Sequence, residues 1–171
     1  MATINLHIGF NRFEFHFEDT FKLKYQVMPA ALLGMLLAAY GNKFDIKLSA
    51  MTGEPIFSGN SLALNFAFEN DGANLYTALL IKSRFLDDYS LLTHEILHTY
   101  QCYDQNVINT FFHKPVKSLN KQGKFFQFLD DVFYYDFQAP IGLAAYEIEN
   151  LSADDYFDNY FEQEAKYYGE H

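Results

Sequence analysis

The sequence predicts an α+β domain, and three observations carry that expectation. The first third alternates apolar and polar residues at the two-residue period of strands. The second half follows helical periods instead. Half of the 171 residues are hydrophobic and 19% are aromatic, which excludes a disordered chain and gives one domain enough apolar surface for a core.

Ile4, Leu6, Ile8 and Phe10 alternate with polar residues, as do Phe13, Phe15 and Phe17, and then Leu23, Tyr25 and Val27. These read as three strands. The run MPAALLGMLLAAY at 28–40 is too short to cross a bilayer and reads as a buried helix ended by Gly41-Asn42. SLALNFAF at 61–68 alternates again, ENDGAN at 69–74 is a turn signal, and LYTALLIKS at 75–83 reads as a strand. Asp87 and Asp88 open a helix that runs through HEILH. A Lys- and Asn-rich connection at 113–124 follows, and one long helix over about 141–168 closes the chain. The domain thus divides into a β-rich part, 1–70, of no assigned role and a second part, 75–168, that carries the chemistry.

Twelve basic residues against 22 acidic ones give a formal charge of −10. Phosphate binding needs clustered Lys and Arg, so nucleic acid is not an expected partner. The single cysteine, Cys102, excludes a disulfide framework and a Cys-rich zinc site, and reads as a buried, inert thiol. The N-terminus has no continuous apolar stretch of the kind export signals carry, and no run is long enough for a membrane span. A cytoplasmic address is the default expectation. Gly-rich phosphate loops and Ser or Cys nucleophile motifs are missing from the sequence. Tyr156, Phe157, Tyr160, Phe161, Tyr167 and Tyr168 recur at helical spacings and read as packing.

The stretch LLTHEILHTYQ carries the strongest chemical signal. Residues four apart on a helix lie about 40° from each other, so His94 and His98 can present two imidazoles to one ion. Leu92, Ile96, Thr99 and Tyr103 form a separate stripe that packs inward. Glu95, about 100° around, is poorly placed as a ligand but well placed to hydrogen-bond a water held on a metal. That is the chemical reason for H-E-x-x-H on a helix. Two histidines on a solvated helix face need no metal, so a third ligand decides between the readings.

One zinc pattern continues with a glycine and a third histidine, but here those positions hold Gln101 and Asp104. Asp104 is therefore an alternative ligand without the glycine that would turn the chain back, and His113 reads as a surface histidine. The other pattern takes a glutamate from a later helix, where Glu147 and Glu149 stand about 200° apart. On a single helical wheel Leu143, Leu151, Phe157, Phe161 and Tyr168 fall within about 80° of Glu147. Glu149 falls with Ser152, Tyr156, Asn159 and Gln163 on the outer face. A carboxylate within an apolar stripe is expensive unless paired or bound to metal, so Glu147 is the expected third ligand and Glu149 the alternative. Asp154 and Asp158 share the inward face, where either could orient a ligand histidine or be a solvated acid.

HEILHTYQ followed by YEIEN resembles the glutamate-ligand zincin metallopeptidases, the gluzincins, and in particular small bacterial members with HExxHxxQ and a later aromatic-E-x-E-A segment. The resemblance covers about 75–168; it departs at Asn150, where those members have alanine, and at Leu151, where many gluzincins have aspartate. It implies a zincin-like fold: a motif helix packed on a small sheet with a long C-terminal helix, here beside an N-terminal β extension. It further implies zinc held by His94, His98 and Glu147, with Glu95 as general base and Gln101 on the metal-facing flank. LYTALLIKS would be the edge strand that holds an extended peptide or protein substrate. The expected function is zinc-dependent hydrolysis of peptide bonds. The alternative is a non-catalytic zinc-binding domain or an aromatic-rich protein-interaction domain. No oligomeric state is predicted.

Overall fold

The computed structural model describes residues 2–17, 20–60, 71–104, 111–112, 115, 117–153 and 158–169, and it is mixed α+β. Strands β1 (Ala2–Ile8), β2 (Asn11–Phe17) and β3 (Phe21–Val27) form an antiparallel meander, in the places their alternation predicts. Gly9 supplies the positive φ, +55°, that the β1–β2 turn requires.

Helix α1 (Pro29–Ala39) starts with proline at its first turn, where no amide partner is lost. The expectation of a buried helix is corrected. It buries only the small residues Ala31, Gly34 and Ala38, while Leu33, Leu36 and Leu37 are exposed. Gly34 permits this approach, because a Cβ there would overlap the carbonyl oxygen of Leu75.

A four-stranded sheet organises the rest. Strands β4 (Lys43–Phe44), β5 (Ile56–Gly59), β6 (Gly72–Asn74) and β7 (Leu79–Lys82) lie in the order β4-β5-β7-β6. β5 and β7 are parallel and the other pairs antiparallel. Helix α2 (Ile46–Thr52) is capped by the Asp45 carboxylate and ends on left-handed Gly53. Both faces of this sheet are covered. Ile56, Leu79 and Ile81 pack with Leu48 and with Leu92 of helix α3 (Tyr89–Asp104), while Phe57, Ala73 and Leu80 pack with Ala38 of α1.

Two strand expectations are corrected. Of LYTALLIKS only residues 79–82 are extended, and they lie between β5 and β6. Among the described residues the edge next to them is β6, whose Gly72 and Asn74 read in the sequence as part of a turn. The reversal falls at 75–78 instead, because the Asn74 side chain accepts the Tyr76 amide. Tyr76 takes a positive φ of 73° there and buries its ring, and its hydroxyl bonds Asp136. SLALNFAF lies outside the described residues.

Further along the chain lie helices α4 (Lys124–Val132), α5 (Gln138–Ser152) and α6 (Tyr160–Gly169). The expected single C-terminal helix is therefore two helices. Ala153 turns extended and closes α5, and Asn159 restarts the chain, its side chain accepting the Phe161 amide and its carbonyl the Gln163 amide. Asn159, a short polar residue, thus offers the backbone a cap instead of continuation. No helix of the described residues is long and apolar enough to cross a membrane.

Candidate metal centre

Helix α3 begins as its sequence predicts, with Asp88 accepting the Leu91 amide at 3.1 Å. Its inward stripe also holds: Leu92 and Thr99 are buried, and Ile96 and Tyr103 are half-buried. His94 and His98 stand on the adjoining flank with their Nε2 atoms 3.2 Å apart.

The third group at this place is Glu162, from the first turn of α6. Its Oε2 lies 3.2 Å from His94 Nε2 and its Oε1 lies 3.5 Å from His98 Nε2. The Glu162 side chain is 2% exposed. Tyr146 of α5 donates its hydroxyl to Glu162 Oε1 at 2.8 Å, fixing the carboxylate. The position near the start of α6 adds the favourable field of free backbone amides.

Close packing of α6 on α3 creates the site. Ala165 and Glu162, three apart on one face of α6, are both buried. At the far end of α6 a Cβ on Gly169 would stand 3.0 Å from the Ser90 carbonyl and 3.4 Å from His94 Cβ, so glycine allows the approach.

Gln101 locks the assembly. Its Oε1 lies 2.7 Å from His98 Nδ1, while its Nε2 donates to the Phe161 carbonyl at 3.0 Å and to Glu164 Oε2 at 2.9 Å. Both amide protons are spent on acceptors, so the oxygen must face the imidazole. Nδ1 of His98 then carries the proton, and the lone pair sits on Nε2, facing His94 and Glu162.

Glu95 is buried between α3 and β6. A Cβ on Gly72 would stand 2.8 Å from Glu95 Oε1, and the Asn74 backbone amide hydrogen-bonds the carboxylate. The Asn74 side chain donates to the Glu95 carbonyl at 2.7 Å and to Thr99 Oγ1 at 2.6 Å, tying the motif helix to the strand. Burial, with the added repulsion of Glu162, pushes the Glu95 carboxyl up to about 7 against the pull of His94 and Asn74. Burial acts to lower the pKa of His94, but the Glu162 hydrogen bond and the nearby carboxylates outweigh it and raise the pKa. His98, more deeply set, is held below its ordinary value by burial.

The other predicted site residues are placed elsewhere. Glu147 is exposed on α5, and Leu143 and Leu151, expected beside it on an inward face, are exposed too. The wheel fails because α5 ends at the extended Ala153 and α6 starts afresh after Asn159. Glu149 accepts the Tyr160 amide at 2.7 Å and so caps α6. Asn159, expected outside, is fully buried. Asp158 is exposed. Asp104 ends α3 with its side chain outside the described residues, and Asp154 and His113 also lie outside them. Cys102 joins the cluster of Met28, Ala31 and Tyr76, where burial pushes its thiol up to about 11. Tyr160, Tyr167 and Tyr168, read as packing, are exposed.

One signal in the sequence does point to Glu162. Residues 161–165 read Phe-Glu-Gln-Glu-Ala, which fits aromatic-E-x-E-A in full, whereas YEIEN departs from it at Asn150. Nothing in the sequence marks Tyr146 as its partner.

The donor set can be tested against a metal. Tetrahedral bonds of ~2.0–2.1 Å place neighbouring donors ~3.3 Å apart. One donor atom from each of His94, His98 and Glu162 can be taken within 4.8 Å of one another; the two 3.2 Å contacts, which share His94 Nε2, match that spacing, and the 3.5 Å contact of His98 reaches the other carboxylate oxygen of Glu162. Two imidazoles and one carboxylate form a set that suits zinc and leaves a fourth position open. No family model matches this chain, and comparisons with curated proteins and with solved structures find no match either.

Proposed function

We propose that this chain is a zinc-dependent hydrolase of peptide bonds, with His94, His98 and Glu162 holding the metal and Glu95 acting as general base. One observation carries the reading: a nearly inaccessible carboxylate on the last helix closes a donor triangle with two histidines of an HExxH helix. A carboxylate at that depth is costly to desolvate, and a cation shared by all three groups would add to what the Tyr146 hydroxyl and His94 already offset. The preset tautomer of His98 supports the same reading.

A bound zinc supplies Lewis acidity, acidifying water and polarising a carbonyl. The chain's own groups do the rest. Glu95 takes a proton from the attacking water at a carboxylate oxygen and returns it to the leaving amine. Gly72 leaves room for that carboxylate, and the Asn74 backbone amide hydrogen-bonds it. Tyr146 and Gln101 orient Glu162 and His98, as hydrogen bonds behind metal ligands do. Strand β6, beside Glu95 and at the sheet edge among the described residues, offers the line along which an extended peptide would lie, in place of residues 79–82.

The test is zinc content by mass spectrometry of the purified protein, beside Glu162→Gln and Glu147→Gln. About one zinc per chain, lost in Glu162→Gln and kept in Glu147→Gln, is the expected result. Peptide hydrolysis is then screened with Glu95→Gln as the inactive control. Zinc retained without any Glu95-dependent hydrolysis would leave a non-catalytic zinc domain. No zinc after reconstitution at neutral pH would reduce the triad to a His94–Glu162 ion pair.

A further inference from the structure

We propose that the N-terminal sheet is a homodimer interface, through which two copies of this chain stack face to face. This surface includes no residue of the candidate metal centre. The register places every side chain of the sheet. Ile4 pairs with Phe15, Leu6 with Phe13, Phe15 with Leu23, Phe13 with Tyr25 and Phe17 with Phe21. Directly opposed residues share a face, so one face of the sheet is almost wholly apolar. The opposite face carries Asn5, His7, Arg12, Glu14, Lys24 and Gln26.

The polar face is the one joined to the body. Gln26 donates to the carbonyls of Asp130 and Phe133, and Arg12 lies over the Tyr134 ring at 4.1 Å while bonding Gln26, Glu14 and Asn5. Lys24 pairs with Asp130 at 3.7 Å. The apolar face points away. Ile4, Leu6, Ile8, Phe21, Leu23 and Tyr25 are each between 44% and 61% exposed. An ordinary half-buried meander does the reverse, burying its apolar side.

A second copy fits this face on three counts. The first is area. Side chains of roughly 150–250 Å² that are each about half exposed sum, over this face, to on the order of 700 Å², close to the ~800 Å² per partner of a standard interface. A patch of that size is larger than monomers ordinarily leave open. The second is charge. The face holds no ionisable side chain apart from the Tyr25 phenol, which is bonded to Asn11 at 2.9 Å. Two chains of net charge −10 can therefore meet here without opposing like charges across the contact. A lipid surface is less well served, because membrane docking draws on basic residues around the apolar patch and Lys22 and Lys24 project from the other face. The third is shape. Twisted sheets stack at about 10 Å with their apolar side chains interdigitated, and a two-fold axis makes one such face complementary to itself.

Sedimentation velocity of the full chain tests this, over about 1–100 µM at physiological salt. The wild type is expected as a dimer. Leu23→Glu places two charges in each two-fold contact and should weaken the dimer by on the order of 100-fold or more. Ile4→Arg, on another strand, should do the same, and circular dichroism with thermal melting shows whether each variant keeps its fold. Thr3→Glu, exposed on the opposite face, should remain dimeric. A wild type that stays monomeric at 100 µM overturns the proposal. So does a dimer that survives both variants in folded form, because its contact then lies elsewhere. Co-sedimentation of a monomeric wild type with phosphatidylcholine vesicles assigns the face to lipid and also overturns it.

Discussion

Two segments of the C-terminal half share one pattern and meet opposite fates. Residues 146–150 of α5 read Tyr-Glu-Ile-Glu-Asn, and residues 161–165 of α6 read Phe-Glu-Gln-Glu-Ala. In the first, Glu147 is exposed. In the second, Glu162 is almost completely buried between His94 and His98. The aromatic residues and the first glutamates are alike, so they do not decide. The fifth residue does: Ala165 is fully buried and lets α6 lie directly against α3, while Asn150 stays in solvent. What selects the ligand candidate is the small residue one turn beyond the glutamate, together with Gly169 at the far end of the helix. The two segments also cooperate. Tyr146 of the first bonds the glutamate of the second, and Glu149 of the first caps the helix of the second.

The sharpest break in the comparison is removal of each leading glutamate. Glu162→Gln should weaken zinc binding by more than the ~10–100-fold that loss of a partner behind a ligand costs, and Glu147→Gln should leave it unchanged. Competition with a chromophoric chelator measures both. Equal losses would mean that the two segments are not distinguished by burial.

The next effect belongs to the residue behind the candidate ligands. Gln101→Leu removes the acceptor on His98 Nδ1 and both ties to α6. A lost partner behind a metal ligand typically costs 10–100-fold in metal affinity, and that range is expected in the same chelator assay. Unchanged affinity would show that His98 holds its tautomer without help.

The sequence made some of this legible and hid the rest for definable reasons. The helix carrying HEILH, its start at Asp88 and its inward stripe follow from local signals, because capping and period are set within a few residues. The three N-terminal strands follow from alternation for the same reason. Which side of that sheet faces the body does not, because Gln26 and Arg12 find their partners in residues 130–134, far along the chain. The third residue of the candidate metal site was hidden because a single helical wheel does not carry across a helix break. Asn159 resets the phase of α6, and a periodicity argument is valid only within one uninterrupted helix. The motif pattern around Ala165 held the information that the wheel lost.

The role of Ala165 can be tested by exchanging the fifth residues. Ala165→Asn forces a larger polar side chain into a fully buried contact between α3 and α6. The expected cost is about 2 kcal/mol, or a fall in Tm of roughly 5 °C by scanning calorimetry, together with weaker zinc binding. Asn150→Ala, at an exposed position of α5, should stay within about 0.5 kcal/mol.

The smallest effect concerns the second glutamate of the first segment. Glu149 accepts the Tyr160 amide at 2.7 Å, and Tyr160 opens α6. A carboxylate there satisfies a backbone donor that the helix leaves unpaired and also complements the helix dipole. Glu149→Ala should therefore cost about 0.5–1 kcal/mol of stability, as loss of an exposed cap does, and Glu149→Gln should recover most of it because an acceptor oxygen remains. Zinc affinity separates capping from ligation. It should hold in both Glu149 variants, because the carboxylate reaches the centre only through the placement of α6. A loss of zinc in Glu149→Ala as large as that in Glu162→Gln would place both segments at the metal, and burial would no longer explain which glutamate binds.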